Sequence, residues 1–411
     1  MNIQYVFNLY NNDIDKIKPN KFIDLLINKT KNFVFANNFT NEYKIYKRQL
    51  QLNEHSISYQ ILKDIINIKN KNKFIEWYNL NSYEIYKYMH LILNHITKNN
   101  KFEKEFYELK KIYVNPFISF QINEYIQNKI QHKYHYENKN LNITIFSENN
   151  IDAILLDDIH NIINFINSIF NHNKEIILII FLTPYKKEMS GNFSPHEINT
   201  GSTNRISIIL WREEELIKVL IHELIHFLHL DLNDDSIISK KLKNKVNIDE
   251  SSDIRPNEAY TELIAIILHS FYITLKQKSK FDIKYFNYII EIETKWSIYQ
   301  CAKIINNVGC FNKFEDLLNK DLNCKILQYT SIFSYFIIKT SMLYNLNNFF
   351  VFLQDINQSS FNFNDSIENY NKFYKFIIKC LSDTKFNNII NNIMEKTKNY
   401  IILSMKMSFF G

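Results

Sequence analysis

The thirteen residues Val219–Asp231, VLIHELIHFLHLD, are the feature that most constrains what this chain can become. Eight of them are apolar, with the dense spacing of a helix buried nearly all round, yet three histidines and a glutamate sit among them. Imidazole and carboxylate groups are costly to bury without partners. His222 and His226 are four residues apart, so their rings project from one helix face on adjacent turns. At that separation two imidazoles can hold one metal ion. Glu223 follows the first histidine directly and approaches the same point from the side. The string His222-Glu223-Leu224-Ile225-His226 therefore reads as HExxH, two zinc ligands and a general base. An ion would supply the missing partners. The competing reading is a core helix whose histidines are hydrogen-bonded within the protein.

A tetrahedral catalytic zinc takes three protein ligands and keeps one open position. His229 lies about 10 Å along a straight helix from His222, by the rise per residue, so it reads as structural or as a group behind the ligands. The longer pattern HExxHxxGxxH fails, because position 229 is His where Gly is needed and position 232 is Leu where His is needed. A better source is RPNEAYTELIAIILH, residues 255–269. Pro256 suits the first turn of a helix. Glu258 and Glu262, four apart, share a face, and Ala259 and Ala265 would let this helix approach another closely. One carboxylate could bind the ion. The other could accept a hydrogen bond from a ligating imidazole and fix its tautomer. Either glutamate could reach the ion; Glu258 is favoured because it occupies the first turn, leaving Glu262 one turn deeper. A solvated acidic face is the alternative, but LIAIIL at 263–268 is no solvated helix.

HELIH followed by NEAYTE at 257–262 resembles the gluzincin, or thermolysin-like, zinc metallopeptidases. The resemblance covers roughly forty residues. It implies one Zn2+ ion, His222, His226 and Glu258 as metal ligands, Glu223 as catalytic base and Glu262 as the carboxylate behind a ligand. Two features depart from the family. Glu262 stands where thermolysin has Asp, and the spacing between His226 and Glu258 is longer. The intervening stretch 231–253, charged and rich in Asn and Ser, reads as an exposed connection outside the cleft. The segment 199–226 is also similar to uncharacterised zinc-peptidase-like proteins of large DNA viruses. The function implied is hydrolysis of peptide bonds, with a peptide or protein substrate paired to an edge strand, either 205–211 or the segment 199–204 before it. Two other functions compete: a catalytically inactive metallopeptidase-like scaffold that binds a partner, and a zinc hydrolase of a non-peptide amide. The retained Glu223 argues against the scaffold.

The rest of the chain frames this motif. With 411 residues and 46% hydrophobic content it can bury a large core. The net charge of +6 is spread as lysine along the whole length, without a basic arm or arginine cluster, so no nucleic-acid partner is expected. The apolar runs 176–182 and 331–353 are too short or too interrupted to span a bilayer. Four cysteines without CxxC spacing suggest a reduced chain, intracellular and cytoplasmic, or virion-associated if its source is viral. Gly, Ala, Arg and Pro number 18 in all, and ten fall within 184–265, which points to special backbone geometry there.

Periodicity predicts a mostly helical α+β fold: a small β-sheet packed on the HExxH helix, with a helical C-terminal lobe. Residues 1–138 read as a helical N-terminal region, 139–235 as the α/β lobe with the HExxH helix, and 236–411 as a helical lobe carrying the third ligand. The predicted elements are strands at 141–146, 175–185 and 205–211, and helices at 151–170, 212–231, 257–276, 285–307 and 328–354. The cleft is expected between the sheet and the C-terminal lobe.

Overall fold

The alternation of Leu141–Ser147 and the apolar run Ile176–Leu182 make these segments the central strands of a six-stranded sheet in the computed structural model. It describes residues 6–7, 9–10, 14–37, 39–47, 117–172, 174–191, 193–204, 207–357, 362–398 and 402–411. The strands are β1 (Lys44–Lys47), β2 (His132–Asn138), β3 (Leu141–Ser147), β4 (Ile176–Leu182), β5 (Gly201–Thr203) and β6 (Ser207–Leu210), in the order β1-β2-β3-β4-β6-β5. The pairs β3–β4 and β4–β6 are parallel and the outer pairs antiparallel. Parallel neighbours require a crossover.

The helices are α1 (Lys21–Thr30), α2 (Phe120–Asn128), α3 (Ala153–Phe170), α4 (Leu216–Phe227), α5 (Ser236–Lys243), α6 (Pro256–Lys278), α7 (Ile283–Val308), α8 (Lys339–Tyr344), α9 (Leu346–Asn357), α10 (Ile367–Leu381) and α11 (Thr384–Thr397). Helix α3 makes the β3–β4 crossover. It starts where Asp152 accepts from the Ile154 backbone N–H at 2.9 Å and ends at Asn171 in the left-handed region, φ 50°.

Because side chains alternate across a strand, the sheet faces two ways. Leu178 and Ile180 join the main core with α3 and α4, while Phe181 packs with Ile122, Ile126 and Trp211 under α2. Helix α4 lies against β5, β6 and α6, and α6 in turn packs on α7 and the C-terminal helices. The observed fold is thus the mostly helical α+β arrangement expected. No described helix is long and apolar enough to cross a membrane.

Several details differ from the sequence reading. The described part of 1–138 is not wholly helical, since it contributes β1 and β2 to the sheet. Residues 48–116 of the region expected to be helical lie outside the described residues. The HExxH helix is shorter than 212–231, and the expected helix at 328–354 breaks into a π-helical turn at Phe333–Ile338 followed by α8 and α9. The segment 231–253 is not an exposed connection outside the cleft, since its end lines the cleft at Ser251 and Asp253. It contains α5 and buries Leu232, Ile238, Leu242, Val246 and Ile248. Its charged residues had masked this spaced apolar set. Cys310 and Cys324 form a disulfide across the turn at Phe314–Leu318, which overturns a fully reduced chain; Cys301 and Cys380 are free and buried.

Candidate metal centre

Helices α4 and α6 bring His222, His226 and Glu258 together, with one ligand atom from each within 4.8 Å of the others. Successive contacts run in opposite directions along the two helices. His226 and His222 meet Glu258, and His222 and Lys218 meet Glu262, so the helices are antiparallel. The two helices pack directly on each other, and Ala259 and Ala265 are both fully buried on α6. Pro256 sits at the first helical position, which aims Glu258 in the first turn toward the cleft.

The distances suit a metal ion. His222 Nε2 and His226 Nε2 are 3.1 Å apart, and Glu258 Oε2 lies 3.3 Å from the second and 3.4 Å from the first. A tetrahedral ion with ligand bonds of about 2.0–2.1 Å separates its ligand atoms by roughly 3.3–3.4 Å. The tautomers also suit it. His222 Nδ1 is 2.9 Å from Glu262 Oε2, and His226 Nδ1 is 2.7 Å from Asp231 Oδ2. An ionised carboxylate only accepts, so each Nδ1 carries the hydrogen and each Nε2 turns a lone pair toward the same point. Two lone pairs 3.1 Å apart repel unless a cation lies between them. In the metal-free protein the relief is a proton. Burial pushes both imidazoles down, but Glu258 with Glu262 (for His222) and Glu258 with Asp231 (for His226) outweigh it and hold both rings above the usual histidine value. Burial pushes Glu258 up, and the two histidines reverse this to leave it well below the usual carboxylate range.

Glu223 is buried beside this triad and lines the same cleft of about 680 Å³. Burial raises its carboxyl above the ordinary value, against the opposing pull of His222 and His226. Thr203 on β5 donates to Glu223 Oε2 at 2.6 Å and fixes its direction. Gly201 explains one of the clustered scarce residues. A Cβ there would come within 2.9 Å of Glu223 Cγ and Oε1 and 2.6 Å of Leu210 Cδ2, so glycine lets β5 pass this close to Glu223. Of the two segments suggested for substrate pairing, 205–211 is excluded because β6 is covered on both sides. The edge strand is β5.

The chain places Glu262 where the sequence reading put it, on the far side of His222. It missed four other groups. Asp231 falls in the supposed connection, but α4 stops at Phe227 and a turn through His229, φ 54°, folds Asp231 back onto His226. Thr261 donates to the same Asp231 oxygen at 3.2 Å. Lys218, fully buried one turn before His222, pairs with Glu262; the spacing of 218 and 222 was its only visible signal. Tyr335, on the π-helical turn, donates to Glu258 Oε2 at 2.9 Å. Burial, and then the charge of Glu258, push its hydroxyl well up, so it remains a donor. No local pattern links Tyr335 to the motif, whose last residue, His226, lies 109 positions earlier. His229 is exposed at the cleft rim and is not one of the three converging groups; Tyr260 points away, into Phe349, Phe363 and Phe373.

The chain is 29% identical over 155 residues to an uncharacterised protein of Acanthamoeba polyphaga mimivirus, a match covering 36% of this chain and 39% of that protein. It therefore spans about two fifths of the length of the curated relative it matches. No protein-family model matches the chain. No solved structure matches it either.

Proposed function

We propose that this chain is a zinc-dependent peptidase, with His222, His226 and Glu258 as the ligands of one ion. The observation that carries the reading is the near-tetrahedral spacing of three ligand atoms beside a buried, oriented carboxylate that is not one of them. A zinc ion held there would supply Lewis acidity, polarising the scissile carbonyl and lowering the pKa of water. The residues of the chain do the rest. Glu223, aimed by Thr203 and raised in pKa, takes the proton of the attacking water, holds it in a buried site, and passes it to the leaving amine. Tyr335, kept protonated, turns its O–H from Glu258 toward the oxygen on which negative charge develops. The outer strand β5 pairs with an extended substrate backbone, which sets the scissile bond over Glu223.

The test is cleavage of a diverse peptide library by zinc-loaded protein, with and without chelator, beside Glu223→Gln. Cleavage by the parent that is lost on chelation, together with zinc content near parental but no turnover in Glu223→Gln, supports the reading. Equal turnover by mutant and parent removes Glu223 as the base. Zinc binding without cleavage of any peptide would favour a scaffold or a non-peptide amide hydrolase.

A further inference from the structure

Arg255 lines the same cleft as the triad, three residues before Glu258, with its side chain exposed. Its backbone N–H donates to Ser334 Oγ at 3.2 Å, which ties it to the turn that carries Tyr335. Three observations set it apart. First, the other charged groups of the cleft are engaged. Asp253 pairs with Lys243 at 3.0 Å, Glu223 accepts from Thr203, and Glu258 faces both histidines and Tyr335. Among the described residues, no ion pair takes up the Arg255 guanidinium. Its field does reach Asp235, but burial still pushes that carboxyl above its ordinary value.

Second, the position is unfavourable for stability. Arg255 occupies the N-cap position of α6 without a side-chain capping hydrogen bond, where the helix dipole disfavours a cation. Third, the chain uses lysine for nearly every cation and holds only four arginines, Arg48, Arg205, Arg212 and Arg255. The other one among the described residues, Arg212, is buried and donates to the carbonyls of Lys186 and His196, a task that needs several donors on one plane. A planar fork is also what a carboxylate selects. The cleft wall near Arg255 is polar at Ser251, Asn257, Gln328 and Ser331, and its one carboxylate there, Asp253, is paired with Lys243.

We propose that Arg255 is the specificity-determining residue of the cleft and binds a carboxylate of the substrate. The carboxylate comes either from an acidic side chain or from a free chain terminus. This rests on the peptidase reading for the identity of the ligand, but not on turnover.

The experiment measures binding to zinc-loaded Glu223→Gln protein of four otherwise identical peptides: neutral with an amidated C-terminus, neutral with a free C-terminal carboxylate, amidated with one glutamate, and amidated with one lysine. One or both carboxylate peptides should bind roughly 10–100-fold tighter than the neutral amide, the range of a hydrogen-bonded charge. Which one does so identifies the source. Adding Arg255→Gln should erase the difference, and Arg255→Lys should restore only part of it. Equal binding of all four peptides, no detectable binding, or a preference unchanged in Arg255→Gln overturns the proposal. Cleavage by protein with Glu223 intact, run in parallel, separates the two readings. Arg255-dependent binding without cleavage keeps this proposal and removes the peptidase. Cleavage with a preference indifferent to Arg255 does the reverse.

Discussion

The two ends of the α4–α6 pair both bury charged side chains, and they compensate for it in opposite ways. At the cleft end, His222, His226 and Glu258 spend one side of each group on neighbours and turn the other toward a shared point. At the other end, Lys187, Glu215, Lys218, Glu262, Glu293 and Lys339 are almost fully buried, and each finds its partners within the chain. Lys187 pairs with Glu215 at 2.6 Å and Lys218 with Glu262, while Lys339 donates to Ser297 Oγ at 2.8 Å. The segment 402–411 threads through this end. Ser408 donates its backbone N–H to Glu215 at 2.6 Å and its hydroxyl to Glu293 at 2.6 Å, and the backbone N–H groups of Phe409 and Phe410 also reach Glu293. The dry end is satisfied by pairs within the chain, whereas at the cleft end three ligand atoms converge on one point. Buried charge alone therefore does not mark a metal site. Three ligand atoms converging on one point make a candidate for one.

The largest expected effect breaks the cleft end. Glu258→Ala should strip most zinc from the purified protein, because it removes the one carboxylate facing both Nε2 atoms. Glu262→Gln keeps a hydrogen-bond acceptor for His222 and should weaken zinc binding only about 10–100-fold. Glutamine is the informative change, since alanine would also leave Lys218 buried without its partner. Metal analysis of both variants after identical dialysis decides the matter. Full zinc in Glu258→Ala with an empty site in Glu262→Gln would exchange the roles of the two glutamates.

The next effect breaks the dry end. Lys218→Met leaves Glu262 charged and buried with His222 as its remaining ion-pair partner, and should cost about 3–5 kcal/mol in chemical denaturation of the metal-free protein. Lys218→Met with Glu262→Gln removes both charges and should recover much of that loss. A double variant as unstable as the sum of the two single changes would show that the pair is not coupled, and the distinction between the two ends would lose its basis.

The cleft end was largely legible in the sequence and the dry end was not, for a physical reason. HExxH and NExxxE are local spacings, and a helix converts a local spacing into a shared face. The mostly helical α+β class, the central strands and α3 were legible for the same reason, since period and run length are local. Asp231 was close in sequence but hidden, because its role depends on where α4 stops and on the left-handed turn at His229. Lys187, Glu293, Lys339 and Ser408 are brought together only by tertiary packing, and each alone looks like any other polar residue of a helix or loop. The Cys310–Cys324 pairing and the place of Tyr335 depend in the same way on the path of the segments around them.

The smallest effect is a difference in acid response between the ends. His226 at the cleft is held above the usual histidine value, but His269, one face further along α6 and fully buried, is lowered to about 3, by burial first and then by the charge of Lys218. A histidine whose folded value lies below its unfolded one contributes stability that is full above about pH 6.5 and is lost as pH falls toward the folded value. In the metal-free protein the raised cleft histidines act with the opposite sign, contributing stability below their unfolded value that is lost as pH rises through the folded one. His269→Gln removes only the dry-end contribution. The stability advantage of parent over mutant should therefore shrink on acidification, by at most about 1.4 kcal/mol per pH unit below about pH 6.5. The window above about pH 5 is the one to use, because carboxylates have ordinary values near 4 and add their own losses lower down. Denaturation of both proteins in chelator, across that window, gives the comparison. Parallel curves would mean that His269 takes up no proton on unfolding, and that the two ends of the helix pair do not differ in how they hold a histidine.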